Sequence, residues 1–158
     1  MEAIRKTEIP GLDIVPSGID LSGAEIELVG MERREYRLKE TLKAGAEEYD
    51  YVMIDCPPAL GLLTINALVA VQAVLVPLQC EFFALQGMSK LLSVVEMVRE
   101  RLNPELAVSG IIICMADTRK LLTREVMEEV REYFGDRVFQ TVVRSNVRLA
   151  EAPSHGQS

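Results

Sequence analysis

Hydrophobic and polar positions follow two different periods along this chain. Apolar residues at 85, 88, 92, 95, 98 and 102 repeat every three to four positions. That spacing predicts an amphipathic helix over 83–102, ended by Asn103-Pro104. The stretch 122–135 predicts a second helix, with Thr123 as N-cap, Glu125 in the first turn and Gly135 past the end. The runs AVLVPLQ (73–79), SGIIICM (109–115) and RVFQTVV (137–143) are short and rich in β-branched residues, and they read as strands, the first two fully buried. In the N-terminal half, YVMID (51–55) predicts another strand and GLDIVPSG (11–18) a short one bounded by turn formers. Helices are expected over 20–30, with Asp20 or Ser22 as N-cap and Gly30 as the stop, and as a short buried segment over 60–71. A further helix is expected over 32–49, supported by Glu35 and Lys39 at i,i+4 and by Leu38, Leu42 and Ala46 on one face. Residues 144–158 read as a loop, a short helical turn and a Pro/Gly-rich tail.

Strands that alternate with helices imply a mainly parallel sheet flanked by helices, an α/β layered fold. Ligands in such sheets bind outside the carboxyl ends of the strands. Asp55, Cys80, 115–117 and 144–146 all fall at predicted strand ends. The length of 158 residues fits a single domain over 1–158, and 49% hydrophobic residues suffice for a sizeable core. Aromatics are only 5% and Trp is absent, so that core must be mostly aliphatic.

The formal net charge of −7 disfavours nucleic acid and anionic membrane as partners of the chain taken whole. The charge is uneven. Residues 109–150 carry seven basic and six acidic side chains, leaving ten basic against eighteen acidic elsewhere. An anionic partner is therefore expected at the C-terminal part. Residues 56–80 contain no charge, but Pro57, Pro58, Gly61, Asn66, Gln72 and Pro77 interrupt them, which argues against a membrane span. The segment MEAIRKTEIPG has no apolar core of a signal peptide. Cys56, Cys80 and Cys114 are an odd set without C-x-x-C spacing, and they read as reduced, small hydrophobic residues at strand ends.

Asp55 raises the chemical question. A carboxylate at the end of an apolar strand is costly unless something positive meets it. It can cap a helix, pair with a buried cation, or face a metal ion and phosphate. His155, the only histidine, lies in the turn APSHG without a nearby nucleophile, and a loop-ordering role is expected. Lys90 and Arg99 read as the solvated face of the 83–102 helix.

Three stretches, YDYVMIDCPPALGLLTINAL, VLVPLQCEFFALQGMSKLL and NVRLAEAPSHG, resemble the ParA/Soj family of chromosome- and plasmid-partitioning ATPases, deviant-Walker P-loop proteins related to MinD. The resemblance runs from about residue 7 to 156. It implies that Asp55 is the Walker B carboxylate, binding the Mg²⁺ shell through water. It implies a switch region beside the γ-phosphate that includes Cys56, Pro57, Pro58 and Gly61, with the prolines holding the backbone away from helix and the glycine letting it bend. Met115 and Asn146 would flank the base, although Arg144-Ser145 stands where the family would show Pro-Arg. Arg119 and Arg148 match positions that face DNA phosphates, their alternative being ion pairs with Asp117 and Glu151. ATP, Mg²⁺, homodimerisation, DNA binding without sequence preference, a ParB-like activator and a cytoplasmic, nucleoid-associated location follow from the same resemblance, and no membrane does.

One departure stands out. A phosphate-binding loop needs G-x-x-x-x-G-K-[ST], and none of the ten glycines is followed by Lys. The resemblance places the start of this sequence beyond that loop and beyond a second acidic motif, and its end before a final strand and helix. The expectation is a chain that does not hydrolyse ATP alone. Its sheet would have to close over the missing strand or be covered by a second copy. The alternatives are a non-enzymatic module that binds a full-length relative or a ParB-like partner, and an unrelated Rossmann-like enzyme. The lack of any G-x-G-x-x-G weighs against the latter.

Overall fold

The computed structural model describes residues 3–57 and 59–156. The chain divides into two compact units, Met1–Val71 and Gln72–Ser158.

The first unit holds short helices and a two-stranded ladder. A minimal antiparallel ladder joins β1 (Arg5–Lys6) to β2 (Asp13–Ile14). The strand expected over 11–18 is thus reduced to two residues. Its place is fixed by a polar cluster: Asp13 accepts from Lys6 Nζ at 2.6 Å and from the Tyr49 hydroxyl at 2.7 Å. Helix α1 (Leu21–Val29) starts after Asp20 and stops at Gly30, although neither Asp20 nor Ser22 caps it through a side chain. The helix expected over 32–49 is broken into a 3₁₀ turn (Arg34–Tyr36), α2 (Arg37–Leu42) and a second 3₁₀ turn (Ala46–Glu48). Glu35 pairs with its neighbour Arg34 at 3.0 Å, not with Lys39. Helix α3 (Leu62–Ala70) follows, with Thr64, Asn66, Ala67, Leu68 and Val69 buried.

Residues 51–55 correct the sequence reading most. They form no strand, and Tyr51 and Met53 are 88% and 86% exposed. A strand obtains its backbone hydrogen bonds from a neighbour, and no described residue supplies one. The expected closure of the sheet around this segment does not occur.

The second unit holds a three-stranded parallel sheet in the order β3 (Ala73–Gln79), β4 (Ala107–Ala116), β5 (Val138–Arg144). Helix α4 (Ala84–Arg101) connects the first pair and α5 (Leu121–Phe134) the second. Met88, Val95 and Val98 are the buried positions of α4, as the helical period predicts, and Arg99 lies outward, paired with Glu96. Alternate residues Val76 and Leu78, Ile111 and Ile113, and Val138 face one core with Met88, Val126, Met127, Val130 and Phe134. On the other face Leu75, Phe139 and Val143 are exposed, so β3 is half-buried, not fully buried as expected. Gly110 has a packing reason, since a Cβ there would stand 2.6 Å from the Phe139 ring. Lys120, not Thr123, takes the N-cap position of α5. Thr123 is buried inside the helix. The chain then turns through α6 (Val147–Glu151) and a 3₁₀ turn (Ala152–His155), leaving His155 exposed.

Candidate functional site

Two groups of the expected site residues are described, one in each unit. In the first, Asp55 is exposed at the end of the irregular segment 51–55, with no strand behind it. Cys56 is also exposed. Desolvation of its thiol, then the adjacent Asp55 carboxylate, raise its pKa, so it is a thiol and not a thiolate at neutral pH. Pro57 is exposed, and Pro58 lies outside the described residues.

The end of this segment is fastened by the first turn of α3. The Thr64 hydroxyl donates to the Ala59 carbonyl at 2.6 Å, and the Leu63 amide donates to Glu25 Oε1 at 3.2 Å. Glu25, from α1, thus supplies the carboxylate that the helix N-terminus favours. Gly61 has extended backbone, φ −88° and ψ −173°, which other residues also adopt. A side chain there would have to displace the Glu25 carboxylate, the far end of a flexible side chain. Sequence reading missed Glu25. A lone glutamate in a helical pattern carries no sign of a partner 38 positions away.

The second group lies at the carboxyl ends of β4 and β5. The ladder sets Ala116 beside Arg144, and the Ser145 amide donates to the Ala116 carbonyl at 3.1 Å, which draws the two strand ends together. Met115 has φ +52°, a left-handed backbone unusual for a non-glycine residue, and it is 61% exposed. Asn146 caps α6, its Oδ1 accepting from the Arg148 amide at 2.9 Å.

Asp117 and Arg119 form a two-pronged pair, with Nε to Oδ1 at 2.8 Å and Nη2 to Oδ2 at 3.0 Å. The Arg119 amide adds a bond to Oδ1 at 3.2 Å. The Arg119 bonds hold the Asp117 carboxyl down at about 2, and the same pairing raises Arg119. Arg119 therefore has the acidic partner foreseen as its alternative, while Arg148 is exposed. Cys80 is buried in the sheet core, which pushes its thiol pKa up. Cys114 lies opposite Gln79 in the ladder, so alternation sends Cys80 and Cys114 to opposite faces of the sheet.

Mg²⁺ takes one or two carboxylates together with phosphate oxygens and waters, and an exposed Asp55 suits that share. Among the described residues no three His, Cys, Asp or Glu gather into a self-sufficient metal site.

A family model described as an AAA domain matches residues 1–108. The sporulation initiation inhibitor protein Soj of Bacillus subtilis is 51% identical over 157 residues, covering 99% of this chain and 62% of the relative. The chromosome partitioning protein ParA of Myxococcus xanthus is 50% identical over 156 residues, covering 99% of this chain and 55% of the relative. The chain thus spans about three fifths of the length of the curated relatives it matches. Among solved structures, cobyrinic acid a,c-diamide synthase from Mycobacterium smegmatis, with bound ATP analog and magnesium, is 32% identical with a TM-score of 0.84. That match covers 99% of this chain and 68% of the synthase chain. McdA of Cyanothece in its ATP complex reaches a TM-score of 0.87 at 21% identity, over 98% of this chain and 61% of that one, a likeness of fold alone.

Proposed function

We propose that this chain, which belongs to the ParA/Soj family of chromosome- and plasmid-partitioning ATPases, contributes the magnesium-facing and base-flanking parts of an ATP site but not its phosphate grip. The observation that carries the reading is identity with Soj and ParA across nearly the whole chain.

In this reading Asp55 would hold the Mg²⁺ shell through water, and the ion would supply neutralisation of phosphate charge. Residues 56–63 would border the γ-phosphate. Met115 and Asn146 would flank the base from the adjoining ends of β4 and β5. Arg119 and Arg148 would face DNA phosphates, which carry no sequence information. ATP-dependent dimerisation, a ParB-like activator and a cytoplasmic, nucleoid-associated location belong to the same reading. A membrane does not. Among the described residues no helix is long and apolar enough to cross one.

Catalysis requires what this sequence does not contain. Within these 158 residues no glycine precedes a lysine, so these residues supply no Walker-type loop. A charge-assisted hydrogen bond to phosphate is worth roughly 1.5–3 kcal/mol, and without several of them ATP affinity falls to about millimolar or weaker. The chain alone should show no Mg²⁺-dependent ATP turnover. Mixing it with the N-terminal segment of a relative that carries a Gly-Lys-Thr loop should produce turnover that Asp55→Ala abolishes. Turnover by the chain alone, sensitive to Asp55→Ala, would overturn the reading.

The second reading is a non-enzymatic module that binds a full-length relative or a ParB-like partner. In that case the mixture stays inactive while the chain still co-purifies with the relative.

A further inference from the structure

Helix α3 begins without a cap of its own. Its N-cap position is Gly61, which has the extended backbone of a cap residue but no side chain to accept from a first-turn amide. Serine, threonine, aspartate and asparagine are strongly preferred there because they carry that acceptor. Here the acceptor comes from another element. Glu25 of α1 is half-buried, and its Oε1 takes the Leu63 amide at 3.2 Å. Gly61 leaves room for it, since a Cβ at that position would overlap the same oxygen. The turn before the helix is held by its own contact, from the Thr64 hydroxyl to the Ala59 carbonyl at 2.6 Å. Helix α1 buries none of its residues, and Leu21, Ile26 and Val29 are exposed. Little apolar area seats α1, so one polar contact is a large share of what holds it. A side chain at position 61 would cap α3 whenever the helix formed. Glu25 caps it only while α1 is in place.

We propose that Glu25 is a non-local, releasable cap that couples α1 to the start of α3. With α1 seated, the first turn of α3 and residues 59–61 before it are held. With α1 displaced, that turn loses its acceptor and frays. The coupling is reciprocal, because whatever removes the cap also loosens α1. In the partitioning reading residues 56–63 border the γ-phosphate, and α1 then sets the order of that border from outside it. The coupling itself is a property of this fold and stands without that reading.

Amide hydrogen exchange of the 158-residue chain, read by NMR without nucleotide, tests it. Glu25→Ala should speed exchange of the Leu63 amide about five-fold or more, as the loss of a cap implies, and should speed exchange over 25–29 as well. Glu25→Gln keeps an acceptor oxygen and should stay within about two-fold of wild type. Glu27→Ala removes an exposed acid from the same helix and should leave Leu63 unchanged. Gly61→Ala displaces Glu25 and offers no acceptor, so it should match Glu25→Ala, and the double variant should be no worse than either. Gly61→Ser supplies a local acceptor. Added to Glu25→Ala, it should restore protection of Leu63 while 25–29 stay fast, which separates the two elements. Circular dichroism checks that each variant keeps its helices. An unchanged Leu63 amide in Glu25→Ala overturns the proposal, as does Glu25→Gln exchanging as fast as Glu25→Ala. Additive effects in the Glu25→Ala/Gly61→Ala double variant, or Gly61→Ser restoring 25–29 together with Leu63, overturn it too.

Discussion

Asp117 and Arg119 are two residues apart, and each fixes the other. The carboxylate accepts two guanidinium bonds and one backbone bond, and its pKa falls to about 2. The sign is that of an acid stabilised in its charged form. Its contribution to folding is complete above the ordinary carboxylate range and is lost as pH falls through about 2. Because the arginine side chain is 89% exposed, the pair serves local geometry more than global stability. Carbon-detected NMR should follow Asp117 titrating near 2, and in Arg119→Ala the midpoint should return toward about 3.9. An unchanged midpoint in that variant would remove Arg119 as the cause. The pair was legible in the sequence only as an alternative for Arg119, because spacing allows a two-residue bridge without requiring one.

At the scale of elements, α3 shows what periodicity reads and what it misses. Its position was legible, since an uncharged apolar run between Gly61 and Gln72 has few other outcomes. The work of Asn66 was not. Read in the sequence as an interruption of an apolar stretch, it is 3% exposed and binds three backbone groups. Its Oδ1 accepts from the Leu38 amide at 3.1 Å, and its Nδ2 donates to the carbonyls of Arg34 at 2.8 Å and Leu62 at 3.0 Å. One side chain thereby ties α3 to the 3₁₀ turn and to α2, at the place where the expected long helix breaks. Asn66→Ala leaves those groups without their partner and should cost about 1–3 kcal/mol. Urea denaturation followed by circular dichroism measures the loss. A midpoint within error of wild type would show that water replaces the amide at no cost. Helix α4 carries the opposite lesson. Its buried face follows from a single repeating pattern within the element, so local sequence suffices there.

For the whole molecule, the boundary between what was and was not legible is the boundary between local and non-local structure. Strands β3, β4 and β5 find partners within the same unit, through helices long enough to bring them parallel, and each was readable from its β-branched run. Residues 51–55 carry an equally apolar run with no neighbour to pair with among the described residues, and composition cannot reveal that a neighbour is missing. The consequence is measurable. Amide protection requires a hydrogen-bonded partner or burial, and exposed, unladdered backbone opens at almost no free-energy cost. In hydrogen exchange, the amides of Tyr51, Val52 and Met53 should exchange at near-intrinsic rates, while those of Ile111 and Ile113, fully buried in the central strand, should be the slowest of the chain. Limited proteolysis should cut first within 51–57, inside the first unit. Slow exchange at 51–53 would mean that this segment does find a strand partner in solution, and the unpaired backbone would then be the wrong description of the molecule.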